Sequence, residues 1–382
     1  MQKHLTPLTQ FLLEHFGFHL ARIFCLAGFI IAILSSRSIN LVLLSHSFPS
    51  KVSTSATYKR LQRFIKEILF EERHLAKLLV KIMGIEKDDK WTIIFDRTNW
   101  KFGAVHINLL FLCIAYKNMA IPLFVINLET KKCGNSDFMD RMDLLDLFIE
   151  TFGAEKIEVF LGDREFIGKK WLTYLKDLGI PYVIRIKENG QMISNSRGIL
   201  TKVSDLLRPL QTGILTDLGV RVIGSSGLKS HVQALRTKTN ELVVVIHSSD
   251  VNSPLVAYKR RWDIETMFKA FKSNGFNLED THVCDPDRIM TLVSILMITF
   301  CFAYKQGELI VLDQPHLLKL KKHGYIPKSI FRIGADMIHR ILCNLMEPKR
   351  KIKALFASII NPKPPQKIKI GQKNILNQSF VM

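Results

Sequence analysis

The sequence lacks the marks of several common chemistries. Its six cysteines (Cys25, Cys113, Cys133, Cys284, Cys301 and Cys343) are scattered, with no C-x-x-C pair. That spacing argues against a structural zinc site or a disulfide framework and suits a reducing, intracellular chain. No Ser/His or Cys/His arrangement for a covalent intermediate stands out. A secretory leader is not expected, because the segment from Leu5 to Phe18 is broken by Pro7, Glu14 and His15. Long apolar runs are also missing. Ile23 to Leu34 is too short to span a bilayer, and Ile289 to Tyr304 is short too and carries Thr291, Ser294 and Thr299. Both read as buried core helices, since about 20 apolar residues are needed for a span. Acids are scarce: 34 Asp and Glu face 54 Lys and Arg, a net charge of +20. An excess of that size suits a polyanionic partner, either nucleic acid or an anionic membrane surface.

What is present is a globular composition, 47% hydrophobic and 23% charged over 382 residues. Wholesale disorder is thereby excluded, and the length allows two or three domains. Residues 1–89 read as helical. Within them, Ser53 and Thr54 precede a helix whose apolar stripe is Leu61, Phe64, Ile65, Ile68 and Leu69. Lys59, Arg60, Arg63 and Lys66 occupy its other faces, where they would meet DNA phosphates or remain solvated.

From Trp91 the pattern changes. Residues 90–188 predict the order β-β-β-α-β-α-β, an α/β arrangement with a mixed sheet. Residues 189–250, rich in Gly, Ser and Thr, read as an all-β insertion. Residues 251–310 return to helix, with single helices predicted over 254–274 and 287–304, and 311–382 form a basic, proline-broken C-terminal region. The last twenty residues suit a solvated tail.

Asp96 and Asp163 each follow a hydrophobic strand, at the rim of a sheet where functional groups of α/β proteins gather. Singly, either is an ordinary turn aspartate. The third element is the predicted helix carrying Tyr258, Arg261, Glu265 and Lys272. At about 100° per residue these four side chains project within an arc of about 60°. Ile264, Met267, Phe268 and Phe271 fall on a neighbouring face and anchor the helix. Arg261 and Glu265 make either a simple i,i+4 ion pair or part of a site in which Glu265 binds metal while Arg261, Lys272 and Tyr258 grip a phosphodiester.

Tyr258-x-x-Arg261-x-x-x-Glu265-x-x-x-x-x-x-Lys272 resembles the Y-R-E-K signature of the insertion-sequence-four family of DDE transposases, the group that includes the Tn-five transposase. Phe95-Asp96-Arg97-Thr98-Asn99-Trp100 is similar to that family's first acidic motif, and Gly162-Asp163-Arg164-Glu165-Phe166 to its second. Val183 to Lys187 resembles the strand before its β insertion, and Tyr58 to Phe64 a helix of its amino-terminal DNA-binding domain. The resemblance covers about residues 50–305; no dimerisation module is matched in the C-terminal part.

The resemblance implies a ribonuclease-H-like mixed sheet core split by the β insertion, plus a helical N-terminal DNA-binding domain. It implies an endonuclease of a bacterial insertion sequence, with Asp96, Asp163 and Glu265 as the catalytic and metal-binding carboxylates. Oxygen ligands suit two Mg²⁺ or Mn²⁺ ions, with Asp96 as the expected bridge between them. Water would free a 3′-hydroxyl at the element end, which then attacks the opposite strand, in a hairpin route, or the target. Tyr258, Arg261 and Lys272 would hold backbone phosphates, with Arg185 and Lys187 as further contacts on one face of a strand. The expected partners are double-stranded DNA, as inverted repeats and target, and a second copy in a synaptic homodimer. No membrane is expected, and the location is cytoplasmic and nucleoid-associated. Trp100 and Trp262 are expected in the core, although either would stack on a displaced base if exposed. His106 and His282 are expected to serve the core or the surface. The rival readings are a catalytically inactive DNA-binding relative or transposition inhibitor, a hydrolytic nuclease of the same fold, and a membrane-associated basic protein.

Overall fold

Helical periodicity at both ends of the chain and strand-like runs between them are realised in the computed structural model, which describes residues 6–88, 90–128, 134–322, 326–343 and 349–361. Five helices come first: α1 (Thr6–His15), α2 (Leu20–Ser36), α3 (Leu41–Ser47), α4 (Thr54–Glu67) and α5 (Glu72–Met83). A meander of β1 (Trp91–Phe102), β2 (Val105–Tyr116) and β3 (Met119–Asn127) follows, then α6 (Phe138–Phe152), β4 (Ile157–Gly162), α7 (Lys169–Asp177) and β5 (Tyr182–Arg185). The next segment holds β6 (Met192–Ser194), β7 (Leu200–Lys202), the short α8 (Val203–Leu206), β8 (Leu215–Ile223), β9 (Leu228–Arg236) and β10 (Leu242–His247). Last come α9 (Pro254–Lys259), α10 (Trp262–Phe271), α11 (Pro286–Asp313), α12 (Ile330–Cys343) and α13 (Lys349–Ile360). The solvated tail expected for the last twenty residues lies outside the described residues.

Two compact units divide these elements. Of the described residues, a helical unit takes those within 6–87, 100–107 and 267–361, and a sheet unit those within 88–99 and 108–266.

In the helical unit the predicted α4 is realised. Ser53 caps it by accepting from the Ala56 N–H at 3.3 Å, and Leu61, Phe64 and Ile65 are buried. The run expected to end at Tyr304 is longer than the sequence suggested. As α11 it spans 28 residues and is long and apolar enough to cross a membrane, yet 83% of its most apolar window is buried inside the fold. The covering comes from α2, α4, α5 and α12. Close approach to α12 depends on two glycines. A Cβ on Gly307 would lie 1.9 Å from the Ile330 carbonyl oxygen, and one on Gly334 would lie 1.9 Å from that of Ala303.

In the sheet unit the ten strands run in the order β3-β2-β1-β4-β5-β10-β9-β8-β6-β7. β1 is parallel to β4, and β4 to β5, while β2 pairs antiparallel with β3. This 3-2-1-4-5 core is the mixed sheet that the strand pattern predicted, and it is consistent with the ribonuclease-H-like core that the resemblance implies. β2 and β4 are buried along almost their whole length, as continuous apolar runs covered on both faces must be. The segment 189–250 is β-rich as expected, apart from α8. It does not stand apart from the core: β10 pairs antiparallel with β5, at Ile246 with Ile184, so the strands extend the same sheet.

Candidate active site

The parallel ladder between β1 and β4 places the two aspartates. Its last rung pairs Ile94 with Leu161, and each aspartate lies two residues further along its own chain. Side chains alternate along a strand with period two, so the two acids leave equivalent positions at the point where the ladder stops. β1 continues to Phe102, which puts Asp96 mid-strand and not at a strand end as the sequence suggested. What opens the rim beside it is the end of β4 at Gly162.

A buried network fixes both loops. Arg97, next to Asp96, donates from Nε to Glu165 Oε2 at 2.5 Å. Its Nη1 donates to Asn108 Oδ1 at 3.0 Å and to the Gly134 carbonyl at 3.0 Å, and its Nη2 to Asn135 Oδ1 at 3.0 Å. Glu165, two residues past Asp163, accepts from Ser136 N at 3.0 Å and Ser136 Oγ at 2.6 Å. Arg141 completes the set through Ser136 Oγ at 2.9 Å. A pair this buried is held because every arm finds a partner. Both Arg97 and Glu165 stand inside the two acidic motifs, adjacent to the acids, but their pairing joins segments that no local pattern connects.

The helix carrying the third acid differs from the sequence reading. The expected continuous helix over 254–274 is broken between Lys259 and Trp262. Across the break the hydrogen bonds tighten to i→i−3. Arg260 N binds Ala257 O at 3.0 Å, Arg261 N binds Tyr258 O at 3.0 Å, and Asp263 N binds Arg260 O at 3.0 Å. Residues three apart eclipse in such a turn, which brings the Arg261 guanidinium carbon to 6.0 Å from the Tyr258 ring centroid. Arg260 fastens the break to the sheet, donating to Thr92 Oγ1 at 2.6 Å and to the Ala115 carbonyl at 2.9 Å. Asp263 is buried beside it, and burial pushes its carboxyl up to about 7 against the pull of Arg260.

Arg261 then does more than make an i,i+4 pair. Its Nη2 donates to Glu265 Oε1 at 2.8 Å, and its Nη1 reaches Asp96 Oδ2 at 3.0 Å, 165 residues away in the chain. Burial pushes the Asp96 carboxyl up to about 7; Arg261 opposes this, the charges of Asp163 and Glu265 add to it, and the Arg97 N–H at 2.8 Å holds it back. Burial works against charge on Arg261, but Tyr258, the Glu265 hydrogen bond and Asp96 more than offset it and raise the guanidinium above its ordinary value. The Tyr258 phenol is pushed up to about 12 by burial, with Arg261 and Arg185 opposing.

Asp96, Asp163, Glu265, Arg261 and Tyr258 are therefore neighbours in one unit. Arg185 is near enough to act on Tyr258, but its guanidinium is engaged by Glu241 at 2.6 Å. Lys187 lies beyond the end of β5 and is exposed. The single stripe expected of Tyr258, Arg261, Glu265 and Lys272 is not formed: Tyr258 is on α9, Arg261 in the turn, Glu265 on α10, and Lys272, past the end of α10 in the helical unit, pairs with Glu279 at 2.7 Å. Trp100 is buried as expected, while Trp262 is 53% exposed and not in the core. The helical turn restarts at Trp262, and the buried side of α10 is filled by Ile264, Met267 and Phe271. His282 is a surface residue, 2.9 Å from Asp280 and stacked on Phe102.

By type the donors suit a hard cation: three carboxylates, one of them short of compensating charge. As placed, however, no three of the Asp, Glu, His or Cys side chains converge tightly enough to hold a metal ion among the described residues. Two of the acids, Asp96 and Glu265, instead share one guanidinium, and Asp163 is near enough to act on Asp96.

In the helical unit, Lys59, Gln62, Arg63, Lys66 and Arg288 line an open cleft of about 410 Å³. Arg60 is turned away over the Phe48 ring, 5.6 Å from its centroid.

Residues 87–302, more than half of the chain, match the family described as transposase DDE domain. No curated protein matches the chain in sequence. Among solved structures, a piggyBac transposase synaptic complex with hairpin DNA aligns over 92% of this chain and 78% of that one, at 12% identity and a TM-score of 0.41. That likeness is too distant to carry an argument about this chain.

Proposed function

The chain belongs to the transposase DDE domain family, and from that premise we propose that it cuts and joins DNA at the ends of an insertion sequence, as the insertion-sequence-four resemblance implies. The observation that carries this reading is the meeting of Asp96 and Glu265 on Arg261, with Asp163 near enough to act on Asp96, from strand β1, the end of strand β4 and a helix remote in sequence. Asp96, Asp163 and Glu265 would hold two Mg²⁺ or Mn²⁺ ions. Such ions lower the pKa of attacking water and neutralise charge on the phosphoryl oxygens. Tyr258 and Arg261 orient the phosphodiester beside the acids, with Arg185, Lys187 and Lys272 as outlying backbone contacts. A guanidinium fork matches two phosphate oxygens, which fixes the scissile group without reading bases.

The exposed Lys59 and Arg63 of α4 would bind duplex backbone, and their cleft suits anionic oxygens better than a small neutral ligand. Arg60 contributes charge to the same helix but is committed to Phe48. The same reading makes the active species a homodimer bridging two element ends on the cytoplasmic nucleoid, by a cut-and-paste route with or without a hairpin.

Glu265→Gln removes a charge while keeping the side chain's size. It is expected to lower Mg²⁺-dependent cleavage of DNA from the borders of the coding region by at least about a hundredfold. Undiminished nicking by this variant would remove Glu265 from the site.

A further inference from the structure

We propose that Arg261 is a built-in counter-cation. It keeps the carboxylate site closed to divalent ions until a DNA phosphodiester draws its guanidinium away, so that metal binding is coupled to DNA binding. This rests on the reading of the site as a metal-dependent DNA-cutting centre and adds its regulation.

The two arms of one guanidinium already engage the oxygens an ion would need, at 3.0 Å from Asp96 Oδ2 and 2.8 Å from Glu265 Oε1. A divalent ion and this guanidinium compete for the same carboxylate oxygens, and like-charge repulsion disfavours having both in place. Consistent with that, no three acids converge to an ion's reach while Arg261 lies between them, among the described residues.

The side chain also has a reason to be movable. It springs from the turn between α9 and α10, where i→i−3 bonds replace the regular ladder, and its neighbour Arg260 does the fastening to the sheet. The tie of Arg261 to the sheet is the ion pair with Asp96, which a phosphodiester would replace. The charged partners of the guanidinium are Asp96 and Glu265, with Tyr258 against its face; Asp163 acts on Asp96, and Arg185 on Tyr258. A phosphodiester offers the fork two oxygens in place of the two it now finds on separate carboxylates. Moving from the acids to the phosphate exposes the acids as the substrate arrives. The device would keep a DNA-cutting centre uncharged with metal away from DNA.

The test is Mn²⁺ binding to the full chain, read by the electron paramagnetic resonance of the free ion, with and without a short linear DNA duplex. Without DNA, Arg261→Ala is expected to bind Mn²⁺ about tenfold more tightly than the wild type or better, in the range of ordinary allosteric coupling. Adding duplex is expected to raise the wild-type affinity by a comparable factor and to leave the variant nearly unchanged. Glu265→Gln should weaken Mn²⁺ binding in both backgrounds.

Equal or weaker Mn²⁺ binding by Arg261→Ala, with the Glu265→Gln loss still seen, overturns the counter-cation role and leaves the site reading standing. Mn²⁺ binding indifferent to Glu265→Gln strikes at the site reading itself. Should the alanine variant fail to fold, Arg261→Gln takes its place. In either case, a wild-type Mn²⁺ affinity that duplex does not raise is enough to overturn the proposal.

Discussion

In the sheet unit, Asp96 and Glu265 share a single arginine with Asp163 nearby, and the Asp96 carboxyl is held up near 7 by its own burial. In the helical unit, α4 presents Lys59, Arg63 and Lys66 around an open cleft, with no ion pair to any of the three among the described residues. Asp96 is largely buried and under-compensated, whereas the bases are exposed and uncompensated. Each arrangement costs folding free energy through like-charge repulsion or desolvation, and each suits a different external partner. Buried carboxylates suit a small, hard cation that can enter a rim. A spread of solvated bases suits an extended polyanion whose counterions it can release.

This contrast can be broken or sharpened in four steps, from the largest effect down. Asp163→Asn should reduce cleavage by at least about a hundredfold while leaving duplex affinity within a few-fold, measured by nicking and by filter binding on the same preparation. If DNA binding collapses as well, the division between the two regions is wrong.

Replacing Lys59, Arg63 and Lys66 together by Ala should weaken duplex binding and flatten the slope of log affinity against log salt by up to about 2.7, since each phosphate contact contributes about 0.9. An unchanged slope would return α4 to a merely solvated helix.

Smaller still is a purely structural charge in the helical unit. Asp336 accepts from Lys328 at 2.7 Å and from Arg37, and lies 3.0 Å from Arg332. Burial pushes its carboxyl up, but the hydrogen bonds and positive charges outweigh it and leave it below the ordinary value. A depressed native pKa stabilises the fold above the unfolded value and is lost as pH falls through the native one. Asp336→Asn should therefore cost about 1–3 kcal/mol at neutral pH, and this cost should shrink in acid below the ordinary carboxylate range. Denaturant melts at several pH values would show it, and a pH-independent cost would refute the electrostatic account.

The least effect is expected from Trp262→Ala. With the indole 53% exposed, stability should change by no more than about 0.5 kcal/mol. Any loss of cleavage would then mark Trp262 as a contact to DNA and not to the core.

Much of this was legible in the residues. The order of strands and helices from Trp91 to Arg185 follows from alternating apolar runs and turn residues, and it was realised element by element. Asp96 and Asp163 were recognisable because each follows an apolar strand. Other features were hidden. Periodicity assumed one helix through Tyr258 and Lys272, but the i→i−3 turn at Arg260 and Arg261 arises from anchoring to Thr92 and Ala115, far off in sequence. The Arg97–Glu165 brace was invisible because a charged residue inside a motif looks the same whether solvated or buried. The length of α11 was underestimated since polar breaks at Lys305 and Glu308 look terminal. They pair with each other at 2.8 Å inside the fold, so the helix continues.

The amino-acid sequence alone determined the strand and helix order from Trp91 to Arg185 and the excess of positive charge, because these depend only on composition and on neighbours along the chain. Tertiary structure alone decided that β10 would extend the core sheet, that Trp262 would face water and that one arginine would stand between two remote carboxylates. Those outcomes are set by pairwise distances across the fold, and the Coulomb and desolvation energies that govern them have no counterpart in local spacing.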